Sequence, residues 1–265
     1  MSEPLQPTPF ADVNAVLHDF LAQIGPLLGS HFHALYLYGS LALGDFNPRT
    51  SDIDFLVVTD TDIDDNLFAG LRDMHARFNA SGSPWANRVE AAYIPEYALR
   101  HSSPSAARYP QIETEGGMLV RDPLEAGWVF QRQSLRDYGI VLAGPDPQTV
   151  IDPVDLDDMR RAALAITGQW LDQAHHDPEW LAWVRQRNHQ AFVVLTLCRV
   201  LYSLATGTVT SKPAAARWAR ETYGEEWATL IAHALAALTG QYLNEEASES
   251  EVRETVAFIE FTSRR

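Results

Sequence analysis

The chain has 265 residues, 46% of them apolar, enough for one large or two modest domains with a substantial core. Its formal charge of −15, from 35 acids against 20 bases, weighs against a broad nucleic-acid footprint, which needs a basic face, and leaves room for a cationic small substrate. A single cysteine, Cys198, excludes an intrachain disulfide and a cysteine-based zinc site. No apolar run reaches the ~20 residues that span a bilayer, and MSEPLQPTPFADV lacks a signal-type core, so a cytoplasmic location is expected.

Residues 11–29 carry apolar positions at helical spacing, HALYLYG (33–39) is a short β-rich run closed by glycine, and DIDFLVVT (52–59) is a second. Residues 64–80 have helical period, and RVEAAYI (88–94), stopped by Pro95, is a third strand candidate. The order α-β-loop-β-α-β predicts a mixed sheet with helices on one face. Residues 96–126 are broken by Ser, Pro and Gly and are read as an irregular excursion with one short hairpin around Gly116-Gly117. A helix at 128–139 and a strand at 140–144 follow.

The three prolines of PDPQTVIDP (145–153) mark a boundary, dividing the chain into domains 1–146 and 147–265. Beyond it the pattern is helical, near 155–175, 178–206, 212–223, 225–239 and 248–263. Gly207 and Gly224 read as helix stops, Asp177 and Ser211 as N-caps. The fold class is α/β (α+β): a mixed-sheet domain followed by an all-α helical bundle, with room for a cleft between them.

The chemistry sits in YGSLALGDFNPRTSDIDFLVV (38–58). Asp52 and Asp54, two apart on a strand, point to one face. Two carboxylates ~4 Å apart repel by several kcal/mol at an effective dielectric of about 20, a conflict that a divalent cation removes. Gly39-Ser40, where a strand turns into a short helix, offers backbone N–H groups and a hydroxyl to a polyphosphate. Glu90, the acid inside the next strand candidate, can act as third metal ligand, as general base, or as both. In the second half, Lys212 is the only lysine beside nineteen arginines. It stands at a helix start, where the dipole mildly disfavours a cation; it reads either as a surface lysine or, with Arg199, as a triphosphate contact reaching across the cleft.

Gly-Ser, eleven residues, Asp-x-Asp and a carboxylate on a later strand resemble the DNA polymerase β-like nucleotidyltransferase superfamily. The motif, RVEAAYI, the LAGPDP–IDPV linker and VVLTLCR…SK together resemble the aminoglycoside adenylyltransferases of the streptomycin/spectinomycin type. The resemblance implies a nucleotidyltransferase domain at 1–146 and a helical C-terminal domain that closes the active-site cleft. It implies AMP transfer from ATP to a drug hydroxyl, two Mg²⁺ ions on Asp52, Asp54 and Glu90, and Glu90 as base. It further implies triphosphate contacts from Gly39, Ser40, Ser51, Arg199 and Lys212. The expected partners are ATP and a small cationic acceptor, without nucleic acid or membrane, the protein acting as a monomer. The chain departs from the family before VVLTL, where an acid aimed at the substrate is expected and RNHQAF stands instead. His189 and Asp177 are the acceptor-side candidates there, with Glu179, Glu113 and Glu115 as other sources of acidity. Trp170, Trp180 and Trp183 could stack on a substrate ring, or be core at helical spacing. A protein or other small-molecule acceptor is the alternative, and a nucleotide-binding module without catalysis a third reading.

Overall fold

The computed structural model describes residues 6–100, 106–112, 117–242 and 245–265. In chain order the elements are α1 (Ala11–Leu28), β1 (Phe32–Leu37), α2 (Gly39–Leu43), β2 (Ile53–Thr59), α3 (Asp65–Asn79), β3 (Val89–Pro95), α4 (Glu96–Arg100), β4 (Arg108–Ile112), β5 (Val120–Pro123), α5 (Trp128–Tyr138), β6 (Ile140–Ala143), α6 (Pro147–Val150), α7 (Leu156–His176), α8 (Pro178–Arg185), α9 (Arg187–Thr206), α10 (Lys212–Tyr223), α11 (Ala228–Leu238) and α12 (Glu249–Ser263). The chain divides into two compact units at Pro153/Val154. Residues 147–153 go with the first unit, where Val150 and Ile151 are buried beside Leu135 and Arg136 donates to the Ile151 carbonyl at 2.5 Å.

The first unit is built on a six-stranded mixed sheet in the order β5-β4-β3-β2-β1-β6. Alternation along the strands sends side chains to two separate cores. Leu35, Leu37, Phe55, Val57, Ala91 and Tyr93 pack against α1 and α3 through Val13, Leu17, Phe20, Leu71 and Met74. Ala34, Tyr36, Leu56, Val58, Ala92 and Ile94 face Leu99, Leu135, Val150 and Ile151 of α4, α5 and the segment from α6 onward. The expectation of helices on one face is therefore corrected: both faces are covered, because these strands are apolar on both sides. Among its described residues the excursion at 96–126 is more regular than its sequence suggests: it contains α4, and β4 pairs antiparallel with β5, while Gly116 of the expected turn lies outside the described residues.

The second unit is a helical bundle around α9, in which ten residues are buried, among them Val193, Leu197 and Leu201, which share one face at a spacing of four. By length and composition α9 is, among the described residues, the one helix apolar enough to cross a membrane, and it serves here as the central core helix. The single helix expected at 178–206 is broken at Gln186, which is extended at φ −66°, ψ 129°. No glycine or proline marks that break. The chain there is stitched to residues 245–247 instead: Arg187 N donates to Glu245 O at 3.2 Å and Ala247 N to Arg185 O at 2.7 Å. The helix expected at 225–239 begins at Ala228, after a 3₁₀ turn at Gly224–Glu226. Asp177 and Ser211 cap α8 and α10, and Gly207 closes α9 in the left-handed conformation at φ 71°.

Candidate active site

Strand register assembles the first unit's acids. β1 runs antiparallel to β2 with Leu37 opposite Phe55, and the next rung is a hydrogen bond from Tyr38 N to Asp54 O at 3.2 Å. β2 runs parallel to β3 with Asp54 beside Glu90. Tyr38, Asp54 and Glu90 thus form a row across three strands, with side chains on one face of the sheet. Asp52 lies on the same side, just ahead of β2, and all three acids are half-buried.

Gly39 explains why a glycine must leave β1. Its φ is +62°, and a Cβ built on it would stand 2.0 Å from Asp54 Oδ2 and 2.7 Å from Asp54 Cγ. The backbone entering α2 therefore lies directly against the Asp54 carboxylate, an approach open to glycine alone. Ser40 follows in the first turn of α2, where its carbonyl accepts the Asp45 N–H at 3.1 Å.

The loop between α2 and β2 is closed by its own polar groups. The Asn47 side chain accepts Arg49 N at 3.0 Å, and Asn47 N donates to Ser51 Oγ at 3.0 Å. The hydroxyl of Ser51, expected at the triphosphate, thus also holds the loop that delivers Asp52.

Two residues here carry no motif signal. Arg88, two before Glu90, donates to the Pro48 carbonyl at 3.1 Å and to the Ser51 carbonyl, and its Nε lies 3.9 Å from Asp52 Oδ1. Its guanidinium is stacked 4.5 Å from the Trp85 ring centroid. Arg88 is a clamp on the loop that ends in Asp52, detectable in the sequence only as a basic residue beside a strand acid. The Tyr38 phenol is buried, and burial first, then the charges of Asp54 and Glu90, push its pKa well above the ordinary value. It stays a neutral hydroxyl at the back of the carboxylate row.

The donor set of Asp52, Asp54 and Glu90 is all hard oxygen, on two adjacent strands, with Gly39 seated against one carboxylate. It suits Mg²⁺, which prefers such ligands and completes its shell with water and phosphate.

In the second unit His189, Phe192, Thr196 and Arg199 of α9 are half-buried or exposed and, three or four residues apart, share one stripe of the helix. Lys212 opens α10, and its Nζ lies 5.5 Å from the Phe192 ring centroid. His189 is stacked on Trp183 at 4.2 Å between centroids, and its Nδ1 lies 2.8 Å from the Trp183 carbonyl. Trp170 and Trp183 both meet Phe192 edge-on. His189, Arg199 and Lys212 therefore share one face of this unit. Asp177 is placed as the cap of α8, its Oδ1 accepting Glu179 N at 2.9 Å and Trp180 N at 3.2 Å. Trp180 is buried in the bundle core, and Glu113 and Glu115 lie outside the described residues.

Residues 31–90, ending on Glu90, match the family model described as a nucleotidyltransferase domain, and residues 149–263 match the C-terminal domain of aminoglycoside adenylyltransferase. The chain carries a nucleotidyltransferase domain followed by the C-terminal domain of aminoglycoside adenylyltransferases. An aminoglycoside (3'') (9) adenylyltransferase of Escherichia coli is 28% identical over 91% of this chain and 90% of that protein. A spectinomycin 9-adenylyltransferase of Staphylococcus aureus is 27% identical over 77% of each. In fold, the chain is similar to the spectinomycin adenyltransferase AAD(9) of Enterococcus faecialis, solved with ATP and spectinomycin. That likeness has a TM-score of 0.69, 18% identity and coverage of 94% of this chain and 98% of that one.

Proposed function

We propose that the protein transfers AMP from ATP to a hydroxyl of a small cationic aminocyclitol or aminoglycoside. The observation that carries this reading is the seating of Gly39 against Asp54, with Glu90 in register beside it. Its family relatives carry adenylyltransferase names, and the fold neighbour was solved with ATP and spectinomycin.

Asp52, Asp54 and Glu90 would hold two Mg²⁺ ions. Bound Mg²⁺ supplies charge neutralisation on the triphosphate and on the leaving pyrophosphate. Glu90 takes the proton from the acceptor hydroxyl, whose oxygen then bonds to the α-phosphorus as the bond to the β-phosphate oxygen breaks. Gly39, Ser40 and Ser51 are assigned to phosphate oxygens, and Arg199 and Lys212 to the charge on the departing pyrophosphate. His189 is assigned to the acceptor, with Asp177 as a longer-range source of negative charge. With ATP as donor the reaction belongs in the cytoplasm, and nothing in this chemistry needs more than a monomer.

A panel of aminocyclitols and aminoglycosides with ATP and Mg²⁺, read by mass, tests the proposal. Addition of AMP to spectinomycin or streptomycin is the expected result. Pyrophosphate release with no drug adduct would leave the donor chemistry standing and remove the drug. A second reading changes only the acceptor. The exposed stripe of α9 presents His189 and Phe192 against Trp183 where a cationic drug calls for a carboxylate. Labelled ATP in a cell lysate separates the two: label moves to a small molecule in the first reading and to protein in the second.

A further inference from the structure

We propose that His33, Asp60 and Glu96 bind a divalent transition cation of the zinc class, at the end of the central strands opposite Asp54 and Glu90. The proposal does not rest on adenylyl transfer. His33 is the second residue of β1, Asp60 directly follows β2, and Glu96 directly follows β3. Asp54 and Asp60 are six residues apart on β2 and its continuation, so the two ends of the sheet lie about 20 Å from each other.

The backbone aims His33 at the two acids. β1 pairs with β2 through Phe32–Thr59 and then Ala34–Val58, so the register shifts at His33, which is the extra residue of a β-bulge. Bulges re-aim a side chain out of the regular pleat. The imidazole then meets Asp60 Oδ1 at 2.9 Å through Nδ1 and Glu96 Oε2 at 3.8 Å through Nε2. Arg100 binds the other oxygen of Glu96 and reaches Asp152 at 3.5 Å, which fixes the orientation of Glu96. An outer partner of this kind is what a ligating carboxylate usually has.

A carboxylate faces each ring nitrogen, but a neutral imidazole has one N–H to give. The Nδ1–Asp60 contact is a hydrogen bond; the Nε2–Glu96 separation is too long for one. It is close to the roughly 3.3 Å between ligand atoms on tetrahedral zinc with bonds of about 2.0 Å. One donor atom from each of the three residues lies within 4.8 Å of the other two. Asp60 and Glu96 are partly exposed, so rotation can bring an oxygen of each to the Nε2 side of the ring, Asp60 giving up its bond to Nδ1–H, with water completing the shell. The nitrogen donor selects zinc-class ions over Mg²⁺. Asp62, which accepts the Tyr97 hydroxyl at 2.7 Å, adds negative charge nearby. Such an ion ties the ends of β1, β2 and β3 together.

The test uses the full chain, stripped of metal and held in millimolar Mg²⁺ so that the all-oxygen site is saturated. Calorimetry with Zn²⁺ is expected to give one equivalent bound. Affinity should fall at least tenfold in His33→Asn and in Glu96→Gln, which keeps the Arg100 contact, and stay unchanged in Asp54→Asn. Co²⁺ should give a visible absorption band of a nitrogen-bearing site in the wild type that His33→Asn removes. Near-ultraviolet circular dichroism of the metal-free variants checks that each is folded. Zn²⁺ binding that survives both His33→Asn and Glu96→Gln, or that disappears in Asp54→Asn, overturns the proposal. So does failure of the folded wild type to bind Zn²⁺.

Discussion

Carboxylates are used differently in the two units. In the first, Asp54 and Glu90 stand side by side on neighbouring strands, on the same face. Like charges on neighbouring strands repel, by up to a few kcal/mol at ~4.8 Å and an effective dielectric of about 20. In the second, Glu251 gathers donors. It accepts Ser248 N at 2.8 Å and the Ser248 hydroxyl at 2.7 Å, and pairs with Arg187 at 2.8 Å and His233 at 3.1 Å. Glu251 is held by donors from its own chain and serves structure; Asp54 lies beside Glu90 with a glycine seated against it, the arrangement to which the proposed function assigns Mg²⁺. Substitution in each unit can break that contrast.

The largest effect is expected from Glu90→Gln. Turnover should fall by about 10²–10⁴, the usual contribution of a positioned base, while ATP binding by calorimetry persists. The melting temperature should hold, because glutamine keeps the volume of the side chain and an accepting oxygen. A drop of several degrees would put Glu90 among the structural acids, and unchanged turnover would remove it from the base role. Gly39→Ala comes next. A methyl group in the space of Asp54 Oδ2, at a φ of +62°, has to move the carboxylate or the turn. Displacement by about 1 Å costs roughly 100-fold in rate. Steady-state kinetics with acceptor in excess, showing less than a twofold change, would mean that Asp54 is not held by this contact.

The meeting of Gly39, Asp54 and Glu90 was legible in the sequence because strand alternation and a glycine at the end of the preceding strand place them together. The helices of the second unit were legible from period and from the caps Asp177 and Ser211. What stayed hidden depends on partners distant in the chain. The break at Gln186 is made by residues 245–247, and the second helical layer on the sheet by α4, α5 and the segment from α6 onward. Arg88 has the same character. It acts through the carbonyls of Pro48 and Ser51, about forty residues away in sequence, and a carbonyl leaves no trace in side-chain spelling. Arg88→Met keeps an apolar stem over Trp85 and removes the clamp. Apparent Mg²⁺ affinity should weaken about 10-fold, in the range for loss of an outer partner, with saturating turnover nearly kept. A fall in turnover at saturating Mg²⁺ without any shift in the Mg²⁺ titration would show that Arg88 serves something other than Asp52.

Glu251→Gln is expected to move the smallest quantity, and a different one. Burial raises the Glu251 pKa, but the Ser248 hydroxyl and backbone N–H, and then Arg187, outweigh that and hold it down at about 2, against 4.5 in the unfolded chain. A carboxyl whose folded value is depressed contributes stability that is complete above the unfolded value. That contribution is lost as pH falls from about 4.5 to about 2, because the unfolded chain takes up its proton first. Glutamine cannot ionise, so its stability should lack this slope. Urea unfolding at a series of pH values, followed by tryptophan fluorescence, should show a deficit of about 1–3 kcal/mol in Glu251→Gln at pH 6–7, shrinking toward pH 2. Turnover at neutral pH, below the melting temperature, should change far less than in Glu90→Gln. A deficit that stays constant with pH would mean that Glu251 acts through its hydrogen-bonding shape, which glutamine partly reproduces, and the contrast between the two units would rest on geometry rather than charge.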